Sequence, residues 1–366
     1  MLIEAAVASG PHAPLEFQLV ELDEPRDDEV RIRFVASGVC HTDAAVRDGV
    51  IPTPLPAVLG HEGAGVIEAV GPSVRGLRAG DHVVLSANSC GRCDQCLLGR
   101  LAYCENLFAH NFAARRLDGT TSLSTPDGPV GSHFFGQSSF AAFSNVAERS
   151  VVKVSAAADL TVLAPLGCGV QTGAGAILNE LRPGPGASVV VFGTGAVGTA
   201  AIMASRLTGA TTIVAVDLVE GRLELAREIG ATHTLNGRDP DIAIRLREIT
   251  KGRGVDFALD TTGVPAVLRT AADALAVRGT VALVGSSHSG TEARFEIGDS
   301  LNKGWSFKTI IQGSSVPQVF IPALVSLWEQ GRFPFDRIVT RYPAHEINEA
   351  FEDSERGTAI KPVIVY

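Results

Sequence analysis

The chain has 366 residues, 45% of them hydrophobic and 19% charged, with a formal net charge of −9. That length and balance suit a globular protein of two domains, or one large domain with a satellite. An acidic chain without a basic run offers no electrostatic footprint for nucleic acid or an anionic membrane, so neither is expected as a partner.

In chain order, the N-terminus "MLIEAAVASGPHAPLEF" carries Glu4 and lacks the charged-then-apolar order of a secretory signal. A cytoplasmic location is therefore expected. Reducing conditions there disfavour structural disulfides, leaving the six cysteines as thiols, metal ligands or catalytic groups. Up to about residue 170 the sequence reads as short β-rich runs broken by Gly and Pro. "EVRIRFVASGV" alternates, and "GAGVIEAVG", "DHVVLSAN" and "SSFAAFSNV" are strand-like.

Two of these runs are flanked by polar, metal-capable residues, one at its end and one at its start. Cys40 lies in "GVCHTDAAVRDG", and "GHEGAG" brings His61 and Glu62. Cys168 follows in "APLGCGVQTGAGA". Two cysteines and a histidine with an open fourth position would make a catalytic zinc site. Cys40 and Cys168 also read as a pair of buried small side chains, and spacing alone does not bring the three together. Between them, Cys90, Cys93, Cys96 and Cys104 stand at C-x2-C-x2-C-x7-C. That spacing suits a closed tetrahedral thiolate site with zinc as its usual occupant. An iron–sulfur cluster uses a similar run, but the proline that often follows its last cysteine is Glu105 here. Four thiolates leave no open position, so this site is expected to be structural.

From Val170 to roughly Thr309 strands and helices alternate. "SVVVFGTG", "TIVAVD", "HTLNG", "GVDFALDTTG", "TVALVG" and "SFKTIIQGS" supply six strands, which predicts a doubly wound parallel sheet. Residues 183–205 hold no charge and are long enough to span a bilayer. Their "PGPG" and "GTGAVG" would leave backbone groups unsatisfied in lipid, so a strand, a glycine turn and a helix are expected instead. "GTGAVG" matches G-x-G-x-x-G: Gly193 for the tight turn, Gly195 for close approach of a pyrophosphate, Gly198 for close helix packing. Asp217 ends the next strand, 19 residues past Gly198. A carboxylate there would accept from ribose hydroxyls and repel a 2′-phosphate, which favours NAD over NADP. An amphipathic helix, "PQVFIPALVSLWEQG", and a strand-like tail, "IKPVIVY", close the chain.

The whole series resembles the zinc-dependent alcohol dehydrogenases of the medium-chain dehydrogenase/reductase superfamily. The resemblance runs from "VCHTD" through "GHEGAG", "CGRCDQCLLGRLAYC" and "GTGAVG" to "AIKPVI", which is essentially the entire chain. It implies an α/β plus β-rich fold. A GroES-like catalytic domain would come from residues 1–169 and 310–366, and a Rossmann NAD-binding domain from residues 170–309. It implies two zinc ions per chain. Cys40, His61 and Cys168 would hold the catalytic one, and Cys90, Cys93, Cys96 and Cys104 the structural one. Glu62 would enter the coordination sphere during ligand exchange, Asp43 would orient His61, and Thr42 would accept the proton of the alcohol.

For the cofactor, the resemblance puts His41 and Lys361 at the pyrophosphate and Thr172 near the nicotinamide. Gly193, Gly195, Ala196, Val197 and Gly198 form the turn, with Asp217 and Arg222 at the adenosine ribose. Within the superfamily, "CHTDAAVRDG", "PTPLPAVLGHEGAG" and "VPQVFIPALVSLWEQGRFPFDRIV" resemble the aryl-alcohol (benzyl alcohol) dehydrogenases most. The implied reaction is reversible NAD-dependent oxidation of a primary, aromatic alcohol to its aldehyde. Ser86 and Ala87 would leave room for a ring, with Ile51 and Val284 as apolar walls. A histidine that relays the proton to solvent in ethanol-active relatives is Ala45 here. Two alternatives are a glutathione-dependent formaldehyde dehydrogenase, opposed by the uncharged "GVIPTPLP", and a non-catalytic NAD- and zinc-binding sensor, opposed by the full catalytic set. A homo-oligomer, dimer or tetramer, is expected.

Overall fold

The alternating run "EVRIRFVASG" becomes the strand Glu29–Gly38 in a computed structural model that describes every residue from Met1 to Tyr366. Val30, Ile32 and Phe34 enter the core while Arg33 faces solvent, as a period of two requires. Glu29 and Arg31 break the pattern by being buried. Each has polar partners inside: Arg116 and His133 reach Glu29, and Asn145 and the Asp23 carbonyl meet Arg31. Buried charge is tolerated where it is paired in this way.

Two compact units divide the chain. The first comprises Met1–Cys168, Val316–Ser326 and Asp336–Tyr366, and the second Gly169–Ser315 and Leu327–Phe335. The first unit is β-rich. One sheet has five strands in the order Ala57–Val58, Leu2–Ala8, Glu16–Leu22, Leu123–Thr125, Gly128–Val130. A seven-stranded sheet is built on Glu29–Gly38, which pairs antiparallel with Gly63–Val70, Phe143–Ala147 and the C-terminal strand Lys361–Val365. The last of these pairings makes the unit discontinuous in sequence.

The second unit holds a six-stranded sheet with every neighbouring pair parallel. Its order is His233–Asn236, Thr212–Asp217, Ser188–Phe192, Val255–Asp260, Leu275–Leu283, Ser306–Thr309. This is the doubly wound arrangement, with its switch point between Ser188–Phe192 and Val255–Asp260. The central strand Ser188–Phe192, SVVVF, is buried throughout and nearly all apolar, as a strand covered on two faces must be. The uncharged stretch 183–205 resolves into the strand Ser188–Phe192, a glycine turn and the helix Ala196–Leu207, and no single helix is long and apolar enough to cross a membrane.

The structure draws the boundaries elsewhere than at residues 169/170 and 309/310. Residues 310–315 stay with the second unit because the Gln171 amide donates to Gln312 Oε1 and accepts from Ser315 Oγ, at 2.9 and 2.8 Å. Leu327–Phe335 also belongs there, and its Trp328, Phe333 and Phe335 rings pack on one another.

Candidate metal centres and cofactor turn

The helix His41–Arg47 starts immediately after Cys40, its N-cap. The third residue of that helix, Asp43, is fully buried and accepts three hydrogen bonds. They come from the Cys40 N–H at 3.1 Å, the Gly60 N–H at 3.1 Å and the His61 ring at Nδ1, 2.9 Å away. One carboxylate thus ties the segment carrying Cys40 to the segment carrying His61. Because Nδ1 donates to Asp43, the lone pair of His61 sits on Nε2, as a metal-ligating imidazole needs. Nε2 is buried and has no hydrogen-bond partner. A ring nitrogen of His61 lies within 4.8 Å of the thiols of Cys40 and Cys168 and a carboxylate oxygen of Glu62. A buried nitrogen without a partner, aimed at two thiols, fits a metal ion that the apolar surroundings could not replace.

Burial and neighbouring charges shift the acidities of this cluster. The hydrogen bond from Cys168 holds the Cys40 thiol well below its usual range, against the effect of burial, and the same pairing drives Cys168 up. Burial would lower His61, but the charges of Asp43 and Cys40 outweigh it and hold the ring well above its ordinary value. Burial pushes the Glu62 carboxyl up to about 7, with the neighbouring Cys40 adding to the push and Lys361 opposing it. Lys361 is 3% exposed and donates to both Glu62 oxygens, at 2.9 and 3.0 Å, and to the Val39 carbonyl at 3.0 Å. The reason is charge: a buried carboxylate requires a counter-ion, and Lys361 stands next to it. Thr42 Oγ1 is 3.8 Å from the Cys40 sulfur, and His41 is exposed at the helix start.

Cys90, Cys93, Cys96 and Cys104 converge as the spacing predicts, all four sulfurs within 4.8 Å of one another. Backbone N–H groups already point at sulfur: Cys93 N donates to Cys90 Sγ and Cys90 N to Cys104 Sγ, each at 3.3 Å. The Arg92 and Cys93 N–H groups bring Cys90 down to about 6, whereas burial takes Cys96 up to about 12. Four soft donors without a gap, supported by amides, suit a closed zinc site.

In the second unit the turn after Ser188–Phe192 has Gly193 at φ 84°, a conformation that favours glycine. A Cβ on Gly198 would collide with the Gly193 carbonyl, so the helix Ala196–Leu207 can approach the strand only without one. Above Gly195 a Cβ would meet nothing within 4 Å. The turn is open there, with the free N–H groups of a twelve-residue helix beside it. Asp217 ends the adjacent strand but is already engaged: Oδ2 accepts from Thr194 N at 2.6 Å and Thr194 Oγ1 at 2.8 Å, and Oδ1 from Val219 N at 3.0 Å. Arg222 Nε, close in sequence, is buried without a partner. Ala196 and Val197 begin the helix, and Thr172 is buried in the helix Gly169–Gly175.

Sequence reasoning missed several residues around His61. Ser86 was read only as a small side chain making room. It is buried, and its hydroxyl donates to the Gly167 carbonyl at 2.8 Å, tethering the residue before Cys168. Gln137 Nε2 donates to the His61 carbonyl at 2.9 Å, and Phe134 and Phe135 pack against the His61 ring. No ligand spacing points to these three; the only signal is an aromatic pair beside a glycine in "SHFFGQSS". Ile51 and Ala87 are half-buried against the core of the first unit, and Val284 follows the strand Leu275–Leu283.

Comparison with known proteins adds the context. Residues 26–156 match the family described as alcohol dehydrogenase GroES-like domain, and residues 196–329 the family described as zinc-binding dehydrogenase. Geraniol dehydrogenase of Castellaniella defragrans is 44% identical over 365 residues, covering 99% of this chain and 97% of the relative. The crystal structure of benzyl alcohol dehydrogenase from Acinetobacter calcoaceticus is 46% identical with a TM-score of 0.97, covering 100% and 99% of the two chains. An alcohol dehydrogenase zinc-binding domain protein from Burkholderia ambifaria is 51% identical, also at a TM-score of 0.97 and the same coverage. Likeness over the full length, carried by a chain whose two thiol clusters and glycine turn stand where zinc and a dinucleotide would need them, has one meaning: this chain belongs to the zinc-dependent alcohol dehydrogenases of the medium-chain dehydrogenase/reductase superfamily.

Proposed function

We propose that this chain oxidises aromatic, benzyl-type primary alcohols to aldehydes, reversibly, with NAD and two zinc ions per chain, in the cytoplasm. The observation that carries the reading is the convergence of Cys40, His61 and Cys168 around a His61 Nε2 that has no other partner. Zinc held by these three residues supplies Lewis acidity toward an alcohol oxygen. The nicotinamide of a dinucleotide supplies the hydride acceptor.

The remaining roles belong to the chain. Asp43 fixes the His61 tautomer, and the Lys361–Glu62 pair balances charge behind the thiols. Thr42, partly exposed beside Cys40, takes the alcohol proton. Ala45 offers nothing to carry that proton onward, so the path continues through water or a cofactor hydroxyl. The turn at Gly193, Gly195 and Gly198 cradles the pyrophosphate. Asp217 is held by Thr194 and Val219 so that its charge rejects a 2′-phosphate.

Support for the substrate class is twofold. Apolar rings surround His61: Phe135 stacked, Phe134 edge-on, and Phe112 against both. Benzyl alcohol and geraniol, the compounds in the names of two relatives, are both primary alcohols whose carbinol carbon is bonded to an unsaturated carbon. The second of these names favours an alternative in which open-chain allylic alcohols are preferred. Rates with benzyl alcohol, cinnamyl alcohol, geraniol, ethanol and S-hydroxymethylglutathione, each assayed with NAD and NADP, test the reading. Benzyl alcohol with NAD is expected to give the highest kcat/KM; preference for geraniol selects the open-chain alternative, and preference for the glutathione adduct contradicts both.

A further inference from the structure

The segment 133–138 is bent in a way its residues disfavour. His133, Phe135 and Ser138 have φ of 64°, 53° and 53°, with Gly136 at 69° between them. For a bulky side chain such as Phe135 the left-handed region is a genuine outlier, held only where the surroundings over-determine it. They do so here. His133 is fixed by Ser132 and Glu29, at 2.8 and 2.9 Å. Ser138 Oγ donates to the Val58 carbonyl and accepts from Phe134 N. Ser150 Oγ donates to the Phe135 carbonyl.

What this bend achieves is contact with His61 from two sides. The Phe135 ring stacks on the imidazole, centroids 4.5 Å apart and planes at 30°, while Phe134 meets it edge-on at 5.8 Å. Two residues further on, Gln137 donates to the His61 carbonyl at 2.9 Å and accepts from the Gly63 N–H at 3.0 Å. The ring and the backbone of one metal-capable residue are therefore gripped by a single strained loop. Asp43 restrains the imidazole through a single hydrogen bond at Nδ1; a ring stacked on its face limits the tilt that one bond still allows.

We propose that Phe135 is a positioning residue for the metal centre. Its left-handed backbone turns an aromatic ring flat onto His61 and locks the imidazole plane, so that Nε2 faces Cys40 and Cys168. The proposal rests on the reading that Cys40, His61 and Cys168 hold a metal ion. It concerns the retention of that metal.

The test uses the full-length, zinc-loaded protein and follows zinc release to a chelating dye. The release phase of this site is the one absent from Cys168→Ser. Phe135→Leu keeps an apolar side chain, though a smaller one, and removes the ring; Phe135→Tyr keeps the ring. Outer-shell partners of metal ligands typically change metal affinity 10–100-fold, so Phe135→Leu is expected to release this zinc about tenfold faster. The tetrathiolate zinc should be unaffected and Phe135→Tyr should behave as wild type. Wild-type release from Phe135→Leu overturns the proposal, because packing alone then suffices. Equal acceleration at both sites also overturns it, because the effect is then a loosening of the whole unit. A wild type with a single zinc per chain would instead remove the metal reading beneath it.

Discussion

Asp43 concentrates more of the site than any other single side chain. It has no exposed surface, and its two oxygens join the Cys40 and Gly60 amides to the His61 ring. Asp43→Asn keeps the shape but removes the charge that favours the Nδ1–H tautomer. The substitution should weaken zinc at the Cys40–His61–Cys168 site by about 10–100-fold while leaving the tetrathiolate zinc in place. Zinc counted after dialysis against a chelator checks this, and equal retention at both sites would contradict it. Glu29 is a different kind of buried acid. Arg116 and His133 hold its carboxyl far below the usual range, outweighing burial, which pushes the other way. A depressed folded pKa means the contribution is complete above the unfolded value, near 4.5, and is lost as pH falls below it. Glu29→Gln, which strands the buried Arg116, should cost about 3 kcal/mol at neutral pH and flatten the acid limb of the stability profile. Chemical denaturation of both proteins between pH 3 and pH 7 measures it. Asp43 was legible through resemblance, three residues from a familiar cysteine. Glu29 was not legible, because its partners lie 87 and 104 residues away.

Among elements, those with a local rule could be read from sequence. The C-x2-C-x2-C knuckle and the strand–glycine–helix turn are fixed by neighbours within a few residues, and both form as their spacing implies. Cys93→Ala should remove one zinc per chain and lower Tm by about 5 °C or more, since a closed site adds its binding energy to folding. Unchanged zinc and Tm would deny the cluster a structural role. The end of Thr212–Asp217 was legible only in part. Asp217 was read as a ribose acceptor, yet its oxygens also staple Thr194 and Val219, so the carboxylate shapes the turn it faces. Asp217→Ser is accordingly expected to raise KM for NAD at least about tenfold and to narrow the preference over NADP. Steady-state kinetics with both cofactors checks it, and a wild type using NADP equally well would refute the role. The loop 133–138 lay beyond sequence reasoning. Its φ values are set by long-range hydrogen bonds against the preferences of its own residues.

At the scale of the whole molecule, the discontinuous first unit follows from one strand pairing. Lys361–Val365 lies against Glu29–Gly38, so the tail "IKPVIVY" returns to the sheet near Cys40 and delivers Lys361 to Glu62. Reading that tail as a strand was a local inference; which unit it joins depended on partners more than 300 residues distant in the chain, roughly the reach of the whole fold. All four residues of the edge strand Ser306–Thr309 are exposed, Phe307 among them, and Val277, Ile297 and Leu301 are exposed in the same unit. Open edges with apolar side chains are normally covered. We therefore expect a dimer or tetramer by light scattering, shifted toward monomer by Phe307→Lys; a monomeric wild type would contradict this. Alcohol oxidation is expected to depend on the metal held by Cys40, His61 and Cys168. NADH formation from benzyl alcohol, measured for Cys168→Ser beside the wild type with zinc determined in both, tests it most directly. The wild type is expected to hold two zinc ions and be active, and the folded variant to hold one zinc ion and lose nearly all activity. Wild-type turnover by a variant lacking that zinc would contradict it.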